Sequence, residues 1–201
     1  MRPTFSVALL MGGRSRRMGV DKALLQDPST GLASWERQAA LLESLQPQHR
    51  IVSLRQAQDG PALGASWRLV IDAVDDAGPI SGISASLAAL SDDLLVVLAV
   101  DLLAMTSDPL IYLLDHCLAD RGAVYTQDGF YEPLAAVYPR CLAAQAEAFL
   151  LQGGRRLQSW VGDSVESGKM AAIPMPAVYA EAFTNVNDPA DYAKLSSSHE
   201  C

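Results

Sequence analysis

The apolar run Leu94–Val100 constrains the fold more than any other segment of this sequence. A strand with one face in water alternates apolar and polar residues, and this run does not. An unbroken apolar run of this length is typical of a central strand that is covered on both faces, as in a parallel sheet. The run therefore predicts a layered fold in which helices cover a buried sheet.

Further apolar runs of strand length alternate along the chain with segments of helical period, which predicts βαβ units. The predicted helices begin at Ser34 as an N-cap, at Gly78-Pro79 and at Ser107-Asp108-Pro109. Two more are predicted over Cys141–Gln152 and Pro189–Leu195. Besides Leu94–Val100, the predicted strands are Thr4–Met11, Arg50–Leu54, Trp67–Ile71, Ala123–Thr126, Leu134–Tyr138 and Ala171–Met175.

This alternation predicts an α/β fold with a mostly parallel central sheet and helices on both faces. The 201 residues are enough for one well-packed domain, so we expect a single domain over residues 1–195 and a disordered tail over 196–201. Half of the residues are apolar, which suits a sizeable core.

Charge and cysteine content narrow the choice of partners. The formal net charge is −8 and no stripe of Lys or Arg runs along the chain, so we expect no nucleic-acid partner. The three cysteines are odd in number and widely spaced, which predicts reduced thiols and a cytoplasmic protein. The apolar run that ends at Met11 is too short to span a membrane, so we expect a strand there and no membrane partner.

The segment that follows the first predicted strand is rich in glycine and positive charge. Gly12 and Gly13 allow the backbone to approach a ligand closely, and successive N–H groups in such a turn can bind an anion. The segment lacks the spacing of a Walker A loop and of a dinucleotide-binding fingerprint. The alternative is a solvated basic turn after a strand. The positive charges that would bind phosphates are Arg14, Arg16, Arg17 and Lys22.

Two aspartates follow predicted strands. Asp72 comes after Trp67–Ile71, and Asp101 comes after Leu94–Val100. Ligands of open α/β sheets bind beyond the carboxyl ends of the strands, so both carboxylates would lie beside the glycine-rich segment. A carboxylate repels a triphosphate unless a cation lies between them, which makes Asp101 a candidate Mg²⁺ ligand. The alternative is that either residue forms a turn or caps a helix.

These motifs resemble those of a known family. GGRSRRMGVDKALL, which begins at Gly12, resembles the signature loop of the molybdenum cofactor guanylyltransferases, the MobA family. Gly78-Pro79-Ile80-Ser81-Gly82 is similar to the family's GPLAG segment, VLAVD to its metal-binding strand end, and NVND, which begins at Asn185, to its NVNTP segment. The motifs occur in family order over nearly the whole chain.

The resemblance implies a Rossmann-like nucleotidyltransferase fold and the transfer of GMP from Mg-GTP to the terminal phosphate of molybdopterin, with release of pyrophosphate. It implies Mg²⁺ as cofactor and Asp101 as its ligand. Lys22, Arg17 and Asp101 would be the catalytic residues, while Glu132, Asn185 and Asn187 would lie on the acceptor side. The nucleotide would be bound by Leu10, Met11, Gly12, Gly13, Arg14, Lys22, Arg55, Asp72, Gly82 and Asp101.

The sequence also departs from the family pattern. Met11 replaces the usual Ala, Arg55 occupies the place aligned with a nucleotide-binding Asn, and Leu103 replaces a Pro. Glu132-Pro133 stands near the place of a His-Pro pair in the family. The alternatives are a cytidylyltransferase for the same cofactor, a sugar-phosphate nucleotidyltransferase and a non-catalytic nucleotide-binding module. The partners implied are GTP, a molybdopterin-type acceptor and, in transient contact, other molybdenum cofactor proteins.

Overall fold

The computed structural model of the chain describes residues 2–11, 31–55, 64–74 and 76–184. The glycine-rich segment and the C-terminal NVND motif are not in these ranges. The predicted features that lie outside the described residues are Gly12, Gly13, Arg14, Arg16, Arg17, Lys22, Asn185, Asn187, the helix Pro189–Leu195 and the tail 196–201.

The described residues alternate strands and helices. The strands are β1 (Phe5–Leu10), β2 (Arg50–Leu54), β3 (Trp67–Ile71), β4 (Leu94–Ala99), β5 (Gly122–Gln127), β6 (Phe130–Tyr131), β7 (Ala135–Pro139) and β8 (Met170–Pro174). The α-helices are α1 (Ser34–Ser44), α2 (Pro79–Ala88), α3 (Ser107–Asp115), α4 (Ala143–Leu151) and α5 (Leu157–Glu166). Two 3-10 helices span Arg140–Leu142 and Ala177–Phe183.

The described strands form one eight-stranded sheet in the order β3-β2-β1-β4-β7-β5-β6, and β8 pairs with β5. The first four strands of this order are parallel to one another, and β8 is parallel to β5. Strand β7 is antiparallel to both of its neighbours, β4 and β5. The sheet thus has a parallel half, from β3 to β4, and a half of mixed direction around β5.

Helices cover both faces of this sheet, as predicted. One core contains side chains of α1 and α3 packed on β1, β2 and β4. A second core, on the opposite face, contains side chains of α2, α4 and α5 and the fully buried Trp160. Every residue of β4 is buried, because this strand lies in the middle of the sheet and is covered from both sides.

Most predicted strands and helices lie where the structure has them, with ends that differ by at most three residues. The N-cap prediction for Ser34 is wrong, because Ala33 has the extended cap conformation and Ser34 is the buried first residue of α1. The carboxylate of Glu36 accepts a hydrogen bond from the Ala33 N–H at 2.7 Å and satisfies that end of the helix. The elements that the sequence patterns missed are β6, α5 and the 3-10 helix Ala177–Phe183.

Within the described ranges, no helix has both the length and the apolar character that crossing a membrane requires.

Candidate active site

The carboxyl ends of the four parallel strands bring the predicted site residues to one edge of the sheet. The Met11 N–H donates to the Ser53 carbonyl at 3.0 Å, and the Val100 N–H donates to the Leu10 carbonyl at 3.1 Å. The Asp72 N–H donates to the Leu54 carbonyl at 2.8 Å. These bonds extend the strand ladders past their last residues, so Met11, Asp72 and the segment after β4 share this edge.

Helix α2 approaches this edge at Gly82, where no side chain fits. A Cβ atom on Gly82 would lie 2.7 Å from Ser53 Oγ, 3.1 Å from Asp72 Oδ1 and 3.3 Å from Leu10 Cδ2. Three strand ends and one helix therefore converge on a single point. This convergence joins three predicted nucleotide-binding residues, Leu10, Asp72 and Gly82, in one place.

Ser53 fixes the carboxylate of Asp72. Its hydroxyl donates to Asp72 Oδ1 at 2.6 Å, and the serine itself is buried. The pair lies directly under Gly82, so the carboxylate has a defined orientation at the edge of the sheet. Ser53 was not among the predicted site residues. A small polar residue inside the apolar run Ile51–Leu54 of β2 was the signal that could have identified it.

The loop between Asp72 and α2 is held by a second serine. The Ser81 hydroxyl accepts a hydrogen bond from the Val74 N–H at 2.7 Å and donates to the Val74 carbonyl at 2.8 Å. Gly78, with φ 76°, makes the turn into the helix, and Pro79 is the first helical residue. The GPISG motif therefore builds the turn and supplies the contact that restrains the Asp72 loop.

Asp101 follows β4 on the same edge, two residues after the strand ends at Ala99. It is partly exposed, whereas Leu102 and Met105, which follow it, are buried. The buried side-chain amide of Gln38, on α1, donates to the Leu102 carbonyl, and the Met105 N–H donates to that carbonyl at 3.0 Å. The loop that carries Asp101 is thus anchored from the sheet and from α1.

Glu132 lies next to this strand end on the other half of the sheet. The Ala99 N–H donates to the Leu134 carbonyl at 2.8 Å, which holds the segment after β6 beside the end of β4. The carboxyl group of Glu132 is half-buried, and this burial raises its pKa above the usual range. Partial removal from water disfavours the charged form of this carboxyl group. A hydrogen-bond donor or a cation would stabilise that charged form.

The structure thus assembles the predicted residues Leu10, Met11, Arg55, Asp72, Gly82, Asp101 and Glu132 along one edge. Arg55 follows the last residue of β2 and is partly buried. Besides Ser53, the sequence patterns missed Ser81 and Gln38, whose roles depend on contacts with distant segments.

Comparison with known proteins places this arrangement in a family. A family model described as "MobA-like NTP transferase domain" matches residues 7–167. A probable molybdenum cofactor guanylyltransferase of Opitutus terrae is 34% identical over 195 residues, which are 96% of this chain and 95% of that protein.

Solved structures share the fold. The molybdopterin-guanine dinucleotide biosynthesis protein A of Archaeoglobus fulgidus has a TM-score of 0.72 at 23% identity over 96% of this chain and 99% of that one. The 2-C-methyl-D-erythritol 4-phosphate cytidylyltransferase of Thermus thermophilus has a TM-score of 0.70 at 14% identity over 96% and 98%. The chain therefore belongs to the MobA-like NTP transferase family and is a nucleotidyltransferase.

Proposed function

We propose that this protein transfers GMP from GTP to the terminal phosphate of molybdopterin and releases pyrophosphate. The observation that carries the proposal is the convergence of Leu10, Ser53 and Asp72 on Gly82, at the sheet edge that also bears Asp101. Relatives named as molybdenum cofactor guanylyltransferases match nearly the full length of the chain and support the choice of reaction.

In the proposed reaction, an oxygen of the acceptor phosphate attacks the α-phosphorus of GTP. A new P–O bond forms, the bond from the α-phosphorus to the bridging oxygen breaks, and pyrophosphate leaves with that electron pair. The attacking phosphate is ionised near neutral pH, so the enzyme needs no general base. Its task is to position both substrates and to neutralise charge, as in other phosphoryl transfers.

The nucleoside is proposed to bind at the sheet edge beside Gly82, where the close approach of α2 and the hydrogen bond from Ser53 orient the Asp72 carboxylate to accept hydrogen bonds from the ligand. Arg55 is proposed to contact the nucleotide from the end of β2. The triphosphate is assigned to the segment after Met11, with Lys22 and Arg17 as its charged contacts and Gly12, Gly13 and Arg14 as its loop.

Asp101 is the proposed ligand of Mg²⁺. No group of three or more metal-ligating side chains occurs among the described residues, and Mg²⁺ sites in enzymes of this kind use one or two carboxylates with substrate phosphates and water. A partly exposed carboxylate on an anchored loop fits such a site. When bound, the metal supplies positive charge to the phosphates, while Asp101 and its loop fix where that charge lies.

The acceptor is proposed to bind on the side of Glu132, with Asn185 and Asn187.

Cys117 and Cys141 are free thiols, which fits a reducing compartment, and we place the reaction in the cytoplasm.

The main alternative is a different base, because a cytidylyltransferase shares the same fold at a TM-score of 0.70. Thermal unfolding with each Mg-nucleoside triphosphate tests this. A ligand at ~100 times its Kd adds about 2.7 kcal/mol to the free energy of unfolding. We expect Mg-GTP to raise Tm more than Mg-CTP, Mg-ATP or Mg-UTP. A larger shift with Mg-CTP would contradict the guanylyl assignment.

Turnover tests the acceptor and the phosphate contact. We expect GTP-dependent pyrophosphate release only when molybdopterin is added, and a strong loss of this release in Lys22→Ala with unchanged Tm. Lys169→Ala, in an exposed residue just before β8 and so at the opposite edge, is the matched control. Normal release in Lys22→Ala would remove this lysine from the site.

A further inference from the structure

Strands β6 and β7 lie on the same side of β5, because β8 covers the other side over Gly122–Thr126. Together they form one strand that is interrupted. On β5, Thr126 pairs with Tyr131 of β6, and Ala123 pairs with Val137 of β7. Between these two pairs β5 advances three residues, from 123 to 126, whereas its partner advances six, from 131 to 137. The partner therefore has three extra residues, which come after Glu132 because the Glu132 N–H still bonds to β5. The segment Glu132–Leu134, at this interruption, is called the bulge.

The backbone of the bulge is bonded to its surroundings. The Glu132 N–H donates to the Tyr125 carbonyl at 2.9 Å, and the Leu134 carbonyl accepts from Ala99 at 2.8 Å. The buried Tyr138 hydroxyl donates to the Pro133 carbonyl at 2.7 Å. Bulges recur beside active sites, where they re-aim a side chain, and this one is fixed by contacts with three strands.

Tyr131, directly before the bulge, is held from α5. The side-chain amide of Gln158 accepts from the Tyr131 N–H at 3.0 Å and donates to the Tyr131 carbonyl at 2.7 Å. Hydrogen bonds from α5 therefore hold this segment on one side, and hydrogen bonds from the sheet hold it on the other.

The Glu132 carboxylate is the charged group of the bulge, and the hydrogen bonds described above do not involve it. It is half-buried, and it makes no hydrogen bond or ion pair with any group in the described ranges. Backbone hydrogen bonds hold the bulge beside the end of β4, the strand that Asp101 follows. Partial burial disfavours the charged form of this carboxylate, and N–H donors on a bound ligand would offset that cost.

We propose that Glu132 is a specificity-determining residue that accepts hydrogen bonds from paired N–H groups on the heterocycle of the acceptor. This inference rests on the proposed function and names the part of the acceptor that the bulge contacts. A carboxylate repels phosphate, so the acceptor's terminal phosphate lies away from it, toward the α-phosphorus. A pterin ring carries an amino group next to a ring N–H, which matches the two oxygens of a carboxylate.

Glu132→Gln keeps the shape and removes the charge and one acceptor. We expect its KM for molybdopterin to rise roughly tenfold or more, with KM for GTP and Tm unchanged, because a hydrogen bond to a charged group is lost. Glu132→Asp, which keeps the charge on a shorter stem, is expected to lie between Glu132→Gln and the original protein. The matched control is Glu166→Gln, an exposed glutamate at the far end of α5, which should change neither constant.

An unchanged KM for molybdopterin in Glu132→Gln would overturn the proposal. A rise in KM for GTP alone would also overturn it, since guanine has the same pair of donors and Glu132 would then recognise the base.

Equilibrium binding of 6-hydroxymethylpterin, which has the heterocycle and no phosphate, separates this inference from the proposed reaction. We expect the fluorescence titration to give a Kd roughly tenfold weaker for Glu132→Gln than for Glu166→Gln. Equal binding by the two variants overturns the inference, even in an enzyme that transfers GMP to molybdopterin. Failure to transfer GMP, with the expected difference in pterin binding, overturns the proposed function alone.

Discussion

The candidate site lies along one edge of the sheet, and different contacts support this edge in the parallel half and in the half of mixed direction. In the parallel half, strand ends stay in register and α2 presses against them at Gly82. In the other half, the bulge interrupts the strand. There, Gln158 of α5 makes two hydrogen bonds with the backbone of the adjoining Tyr131. Both helices carry a glycine near their middle, but among the described residues a Cβ on Gly162 would meet only Tyr131 Cε2, at 3.8 Å. Glycine is thus required by close approach in one half and replaceable in the other.

Asp101, where the two halves meet, should give the largest effect on activity. Asp101→Asn keeps the shape and removes the charge that would hold Mg²⁺. We expect turnover to fall ~10²–10³-fold with Tm nearly unchanged, the usual effect of losing one well-placed electrostatic group. Asp163→Asn, in an exposed residue of α5, is the control. Lower Tm with full activity per folded molecule would make Asp101 a turn-forming residue instead.

Gly82→Ala tests the close approach in the parallel half. The new methyl would overlap Ser53 Oγ and crowd Asp72, so we expect about 1–3 kcal/mol of destabilisation and weaker GTP binding. The matched control is Gly64→Ala, where the new Cβ would meet no atom of the described residues within 4 Å beyond its chain neighbours.

The double variant Gly82→Ala with Ser53→Ala sharpens this test, because it removes the nearest atom. We expect it to recover part of the stability that Gly82→Ala loses, measured by urea unfolding. If Gly82→Ala is as stable as Gly64→Ala and binds GTP normally, the close packing has no role.

Tyr138→Phe tests the support of the bulge. Loss of the hydroxyl leaves the buried Pro133 carbonyl without this donor, which should cost about 1–3 kcal/mol. Tyr179→Phe is the control, because the Tyr179 ring makes its contacts through its faces and edges with Tyr112 and Tyr125. Equal unfolding free energies for the two variants would contradict the role of the hydroxyl.

The same tyrosine gives a dependence on pH. Burial raises the pKa of the Tyr138 phenol, whereas the unfolded chain ionises its tyrosines near pH ~10. The unfolded state therefore loses this proton first, and stability falls as pH rises above that value. We expect a shallower fall in Tyr138→Phe, measured by urea unfolding between pH 9 and 11. An identical slope would contradict the assignment.

Gly162→Ala should give the smallest effect, and of opposite sign to Gly82→Ala. Its Cβ has room, and alanine favours the helical state over glycine by ~0.5–1 kcal/mol. We therefore expect a small rise in Tm with unchanged turnover. A destabilised variant would show that α5 approaches Tyr131 as closely as α2 approaches β2.

Local patterns were enough for much of the fold. The bounds of β2 and β3 match the predicted strands, and Gly78-Pro79 begins α2 as predicted. The short hairpin strand β6 was missed, although Asp128 and Gly129 both have positive φ and form the Asp-Gly turn that signals a hairpin. Helix α5 was missed as well, though its buried face carries Trp160 and Val161.

The sequence by itself determined the α/β class and the edge on which Asp72 and Asp101 lie, because apolar runs report burial and parallel strands end together. Only the tertiary structure decided which side chains meet there. Ser53, Asp72 and Gly82 converge because β2, β3 and α2 pack against one another. Likewise, the bulge at Glu132 exists only in the pairing with β5. Periodicity describes the environment of each segment, whereas contacts between distant segments depend on strand order, register and the distance at which helices pack.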